Sequence, residues 1–222
     1  MTPRTLLVVL VSMGICALPA VAAPLALLDP NTNDPSGWNV TWDESVVSVT
    51  AVEVDLNASI LRIRIEKDFG PYEIDEGDIE FPEALITFGI DSASGQTPTT
   101  TIIVQSETIA NHTGLPLNRH DWIIMEPAGP VFLIAESGGW TASPLDDLTW
   151  VDPSGNTSRR LIASGGVVAN GATFTPQADL VIQASGDAPF RLKEIVAPEP
   201  SCLAILGAAL FGLLGRRRSW GK

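Results

Sequence analysis

The sequence predicts an all-β protein with a β-sandwich or jelly-roll-like body, on three observations. Apolar and polar residues alternate over several runs. Clusters of Gly, Pro, Asn and Asp separate those runs at short intervals. No stretch of the body carries apolar residues at helical spacing. Alternation with a period of two belongs to half-buried strands, whose side chains point by turns to the two faces of a sheet. Many short strands without helices bury their apolar faces by packing sheet on sheet. Flanking a body at 23–196, the sequence predicts a signal peptide at 1–22 and, within 197–222, a short C-terminal transmembrane helix.

The first clear strand spans 46–56, with Val52, Val54 and Leu56 on one face and Glu53 and Asp55 on the other. The next, 60–66, sets Leu61, Ile63 and Ile65 against Arg62, Arg64 and Glu66, and Asn57-Ala58-Ser59 between the two reads as a hairpin turn. Further strands are predicted at 84–90, 100–109, 121–126, 131–135, 148–152, 160–163, 167–174, 180–183 and 190–196. Between them lie Asp91-Ser92-Ala93-Ser94-Gly95, Pro127-Ala128-Gly129-Pro130, Ser137-Gly138-Gly139, Pro153-Ser154-Gly155 and Asn170-Gly171. Gly and Asn supply positive φ at such turns and Pro fixes φ. No internal repeat of fixed period appears, so the body reads as one domain.

Charge and cysteine usage narrow the function classes. The 222-residue chain has a formal net charge of −13, and all 26 acidic residues lie between Asp29 and Glu199. Five of the 13 basic residues sit at the ends (Arg4, Arg216, Arg217, Arg218, Lys222), which leaves the stretch 23–199, the body with the first residues of the tail, eight against 26, a balance of −18. Such a surface repels nucleic acid and anionic lipid and suits cations or a hydrated matrix. Cys16 and Cys202 both lie in terminal apolar segments, so the body has neither a disulfide framework nor a cysteine metal site.

The two ends read as addresses. Arg4 supplies a positive n-region, residues 6–18 an apolar h-region, and Ala20-Val21-Ala22 a small-residue cleavage site, with the cut after Ala22. At the other end, 201–215 is uncharged and would form a helix roughly 22 Å long. That is short for a bilayer core of about 30 Å. Pro198 and Pro200 separate it from the body, and Arg216, Arg217 and Arg218 follow it as cytoplasmic flanks do.

Pro198-Glu199-Pro200, an apolar helix and an arginine cluster, in that order, resemble the PEP-CTERM sorting signal. The resemblance implies an exported protein of a Gram-negative or related bacterium that makes exopolysaccharide or biofilm. It also implies recognition near Pro198-Glu199-Pro200 by an exosortase, a membrane-embedded cysteine peptidase or transpeptidase, with signal peptidase as the other partner during export. The tail would then be removed and the body released or transferred to the cell surface. Ser36-Gly37-Trp38-Asn39-Val40-Thr41-Trp42, Asn111-His112-Thr113-Gly114 and Phe190-Arg191-Leu192-Lys193-Glu194 resemble β-rich domains attached to this signal, and that likeness carries no activity.

Within the body several constellations are candidates for chemistry. Eight carboxylates crowd 66–83, and Asp75, Glu76, Asp78 and Glu80 around Gly77 are candidate oxygen ligands for calcium. Their spacing differs from the twelve-residue calcium loop, and a hydrated acidic loop between two strands is the favoured reading of the stretch. His112 and His120 flank Asn118, Arg119 and Asp121, where a His-Asp pair would suit a general base or a metal. No nucleophile accompanies them. Asp146, Asp147 and Glu126 are carboxylates of the kind a glycosidase pairs. Trp38, Trp42, Trp122, Trp140 and Trp150 are expected mostly in the core, with Trp140, after Gly138-Gly139, as the candidate exposed ring for stacking on a glycan. Asn39, Asn57, Asn111 and Asn156 begin Asn-x-Ser/Thr triplets and read as loop residues in a bacterium.

The resulting expectation is a non-catalytic structural or adhesive protein of the cell envelope, outer surface or extracellular matrix, with no cofactor unless calcium binds. The alternatives are a carbohydrate-binding module or glycan-acting enzyme on the same signal, and a permanently anchored bitopic protein.

Overall fold

The computed structural model describes residues 23–29, 31–43, 47–57, 60–75, 78–80, 82–105, 107–125 and 129–198. The expected signal peptide and the tail from Glu199 onward, with Pro200, Arg216, Arg217 and Arg218, lie outside the described residues. Among the described residues seventeen strands follow in chain order: β1 (Leu25–Leu28), β2 (Pro35–Trp42), β3 (Val47–Asn57), β4 (Ile60–Phe69), β5 (Glu73–Asp75), β6 (Asp78–Glu80), β7 (Glu83–Ile90), β8 (Thr101–Gln105), β9 (Ile109–Asn111), β10 (Leu117–Met125), β11 (Val131–Leu133), β12 (Asp147–Val151), β13 (Thr157–Ser158), β14 (Arg160–Ser164), β15 (Thr173–Phe174), β16 (Asp179–Gln183) and β17 (Phe190–Pro198). A 3-10 turn at Ser92–Ser94 is the only helical element among the described residues, and none there is long and apolar enough to cross a membrane.

The protein is all-β and sandwich-like. One sheet runs β1-β2-β7-β17-β10-β14-β12, and its strands pair antiparallel throughout. The other runs β13-β11-β16-β8-β4-β9-β15, with β3 on the free edge of β4. Within it β4 pairs parallel to both β8 and β9. Those parallel contacts set the second sheet apart from the all-antiparallel arrangement of a jelly roll. The hairpin expected around Asn57 is present as the antiparallel pair β3–β4, closed by Asn57 opposite Ile60.

Alternation explains which faces meet. In β4 the buried residues are Leu61, Ile63, Ile65, Lys67 and Phe69, one in every two. β7 buries Ala84, Ile86 and Phe88, and β17 buries Phe190, Leu192, Glu194, Val196 and Pro198. Phe88 stands opposite Phe190 in register, and their rings stack at 4.6 Å. Trp38 meets Phe190 edge-on at 5.7 Å, and its indole N–H donates to Thr99 O at 2.8 Å. Each such fully buried large apolar side chain contributes about 1.5–3 kcal/mol. Gly37 has φ +80°, and a Cβ there would fall 2.6 Å from Pro98 Cα, so this close approach needs glycine.

Two expected strands come out differently. The 167–174 run keeps only β15, because Asn111 O takes the Gly171 N–H and a turn joins Ala172 N to Ala169 O. Val168 alone bridges to Leu117. The 100–109 run divides into β8 and β9. Ile63 pairs with Val104 and Lys67 with Ile109, so four steps along β4 face five along its partner. The extra residue is a bulge. It reverses the alternation after Val104, and Glu107 ends up 2 % exposed in the core.

Candidate functional site

The bulge brings an ionic cluster together between the sheets. Lys67 of β4 reaches across the sandwich, and its Nζ donates to Glu107 Oε1 at 2.5 Å and to Glu194 Oε1 at 2.5 Å. Glu194 lies on β17 of the opposite sheet, and its other oxygen, Oε2, stands 3.1 Å from His120 Nε2 on β10. β10 and β17 pair with Trp122 opposite Glu194 and His120 opposite Val196, which sets His120 diagonal to Glu194 on one face. The Lys67 main-chain N–H donates to Thr108 O at 2.9 Å and holds the bulge against β4.

The four side chains are closed off from solvent, at 0 % exposure for Lys67 and Glu194, 2 % for Glu107 and 1 % for His120. Aromatic rings cage the imidazole. It stacks on Trp122 at 3.9 Å and meets Phe69 and Phe174 edge-on at 5.6 Å each. An unpaired charge in such a place would cost several kcal/mol, so the cluster must balance its charges internally.

The environment separates the roles of the two carboxyls. Burial, reinforced by the Glu194 charge, pushes Glu107 up to about 7 against the pull of Lys67. Burial also disfavours the Glu194 carboxylate, but the Lys67 ammonium and the His120 hydrogen bond outweigh it and hold Glu194 below the usual value. Burial opposes the Lys67 charge, which the two glutamates restore and raise above the ordinary lysine value. Burial keeps His120 low and therefore neutral, donating from Nε2 to Glu194, while Nδ1 has no partner among the described residues. One ammonium, one carboxylate and one carboxylic acid make an electrically balanced set. The Trp122 indole N–H lies beside Glu107, close enough to favour its ionised form, yet outside hydrogen-bond geometry.

The residues singled out from the sequence are not gathered in this way. His112 is half exposed and pairs with Asp68, Nδ1 to Oδ1 at 2.6 Å, while His120 is buried and belongs to the Lys67 cluster. Asp121 points to the opposite face of the sheet. There Arg119 grips it with Nε to Oδ1 at 2.6 Å and Nη2 to Oδ2 at 2.8 Å, and Arg160 binds Oδ2 as well. No shared His-Asp site exists between them. Trp140 corrects the expectation of an exposed ring. It is 4 % exposed, because the turn at Gly138-Gly139 folds the indole inward, where it meets Trp122 edge-on at 4.8 Å. A buried indole offers no face to a sugar. Asn111 is fully buried, its amide donating to Leu115 O at 2.9 Å and Val168 O at 3.0 Å, and is closed to any glycan.

For the calcium candidates the structure gives the backbone alone. Asp75 pairs with Asp78 and Glu80 with Glu73 in the β5–β6 ribbon, while Glu76 and all four side chains lie outside the described residues. Glu126 lies outside them too. No group of three or more His, Cys, Asp or Glu side chains that could hold a metal ion occurs among the described residues.

Sequence reasoning missed Lys67, Glu107 and Glu194, although two of the three carried a signal. Lys67 continues the Leu61, Ile63, Ile65 phase by one step, and Glu194 sits in phase between Leu192 and Val196. A charge in phase with an apolar face marks a buried group that needs a partner. Glu107 carried no such signal, since the bulge decides its direction. No protein-family model, curated protein or solved structure matches this chain.

Proposed function

We propose that this chain is an exported surface or extracellular-matrix protein with a structural or adhesive, non-catalytic role, delivered by an exosortase-type sorting step. The observation that carries the reading is the order of Pro198-Glu199-Pro200, an apolar run and Arg216, Arg217 and Arg218 after the β-rich body. Its partners during export are signal peptidase and exosortase, and its setting is a hydrated exopolysaccharide. The balance of −18 over residues 23–199 suits that setting and disfavours nucleic acid.

The position of β17 adds support. This strand lies between β7 and β10 and ends at Pro198, opposite Leu117. A cut within it would remove a central strand, so processing that leaves the domain intact falls after Pro198. The apolar tail is then a device for presenting the motif at the membrane. The test is the intact mass of the mature protein from a host with an active exosortase and from one lacking it. The reading expects loss of Arg216, Arg217 and Arg218 in the first host alone. A mature species that keeps them in the active host would sink it and leave the permanently anchored alternative.

A further inference from the structure

We propose that Lys67 and Glu107 join through an intramolecular amide bond inside the folded domain, with Glu194 moving the protons. The reacting atoms are already together. Lys67 Nζ stands 2.5 Å from Glu107 Oε1, which places the amine about 3–3.5 Å from the carboxyl carbon, the range of a near-attack arrangement. The third group stands on the far side of the amine. Glu194 Oε1 is also 2.5 Å from Nζ, and its second oxygen is held by His120. All of these side chains are closed to solvent, so they can react only with one another.

The roles follow from the surroundings. Glu107 is the electrophile, because burial and the Glu194 charge keep it as a carboxylic acid up to about pH 7. Glu194, paired with Lys67 and His120, is the carboxylate and acts as the base. It takes one proton from the Lys67 ammonium and frees the lone pair. The amine attacks Glu107 Cδ, and the C–N bond forms. The Trp122 indole N–H beside Glu107, without a partner among the described residues, is the donor at hand for the oxygen that gains charge. Glu194 then passes a proton to the departing hydroxyl, which leaves as water while the C–O bond breaks, and takes up the second amine proton in exchange. The products are a neutral amide, one water and a neutral Glu194. No oxidant or cofactor enters.

Three physical terms favour the bond in this place. Folding holds amine and carboxyl together, which replaces a bimolecular encounter by a unimolecular step. The aromatic cage of Phe69, Trp122 and Phe174 around His120 excludes the water that would reverse it. The amide also abolishes a buried ammonium and a buried carboxylate, both costly to keep dry. Lys67 and Glu107 come from one sheet and Glu194 from the other, so the step waits for the sandwich to close. A disulfide-free exported domain would thereby gain a covalent tie, independently of the route by which it is exported.

The experiment is a tryptic map of the folded full chain. After Lys67 the next basic residue is Arg119. The bond therefore predicts a single peptide covering 65–119, uncut at Lys67 and lighter by one water, with fragmentation placing the link at Glu107. Separate peptides 65–67 and 68–119 at full mass, after prolonged incubation of folded protein, would overturn the proposal. A link from Lys67 to Glu194 would overturn the assignment of roles. Glu107→Gln should still link, and lose one ammonia instead of one water. Glu194→Gln should slow the reaction at least about 100-fold in chain whose strand content is intact by circular dichroism, and an unchanged rate would remove Glu194 from the step. The wild-type map decides the bond even where a variant fails to fold.

Discussion

His120 and Asp121 are neighbours in sequence and serve two ionic clusters on opposite faces of one sheet. His120 faces the core, where Lys67, Glu107 and Glu194 tie the two sheets together without contact with water. Asp121 faces outward. It is itself nearly buried, but Arg119 and Arg160 above it are 40 % and 37 % exposed, and all three belong to one sheet. The outer cluster relies on solvated guanidinium groups in fork geometry, and salt screens it. The inner one sits in a medium that magnifies every charge and punishes any that is unpaired. Similar residue types therefore do different work. The outer set trims the surface of a sheet, and the inner set fixes the spacing of the sandwich and confines reactive groups.

Measured against chain taken before the amide forms, the largest expected effect that tests this contrast is Lys67→Met. It leaves two carboxyls in the core without a cation and should cost about 3–5 kcal/mol in urea unfolding. A cost no greater than that of an outer-face change would break the comparison.

Titration sharpens it next. As a free acid, Glu107 has a folded value of about 7 against 4.5 when unfolded. The folded chain then holds a proton that the unfolded chain releases, so this group's contribution is full below about pH 4.5 and is lost as the pH rises through about 7. The amide has no such proton. Urea midpoints at about pH 5 and about pH 8 should show this decline in chain taken before the bond forms and lose it afterwards. Asp121 behaves in the opposite sense. Burial pushes it up, but Arg119 and Arg160 prevail and hold it below the usual carboxylate range. Its contribution is present above the ordinary carboxylate value and lost as the pH falls through the depressed one.

Asp121→Asn should remove that acid limb and cost about 1–2 kcal/mol at low salt, since both arginines remain partly hydrated. The loss should shrink in about 1 M salt, while the Lys67→Met loss should not. The smallest effect belongs to His112→Ala. The His112–Asp68 pair is 53 % and 34 % exposed, and its removal should change stability by no more than about 0.5 kcal/mol.

Much of the architecture was legible in the sequence, and particular residues show why. The alternation of Leu61, Ile63 and Ile65 is a local property, and it identified β4 and its inward face before any contact was known. The same alternation reached Lys67, but a lysine normally marks the end of a buried face, so the expected strand stopped at Glu66, three residues short of Phe69. Trp140 misled for a related reason. A Gly-Gly turn signals a surface reversal, and whether the next ring points out or back depends on the contact it finds with Trp122. The bulge between β8 and β9 left no trace in composition, because it arises from matching two strands far apart in sequence.

The sequence by itself determined the all-β class, the hairpin of β3 and β4, the acidic body and the terminal segments on which the sorting proposal rests. These are consequences of local patterning and composition, which need no partner to be read. Only the tertiary structure decided that Lys67, Glu107, His120 and Glu194 meet. The hydrogen-bonded pairs among them are 40 to 127 residues apart in sequence, and strand register and the packing of two sheets bring them together. A buried charge acquires its chemistry from the groups that close around it, and those groups are chosen by the fold.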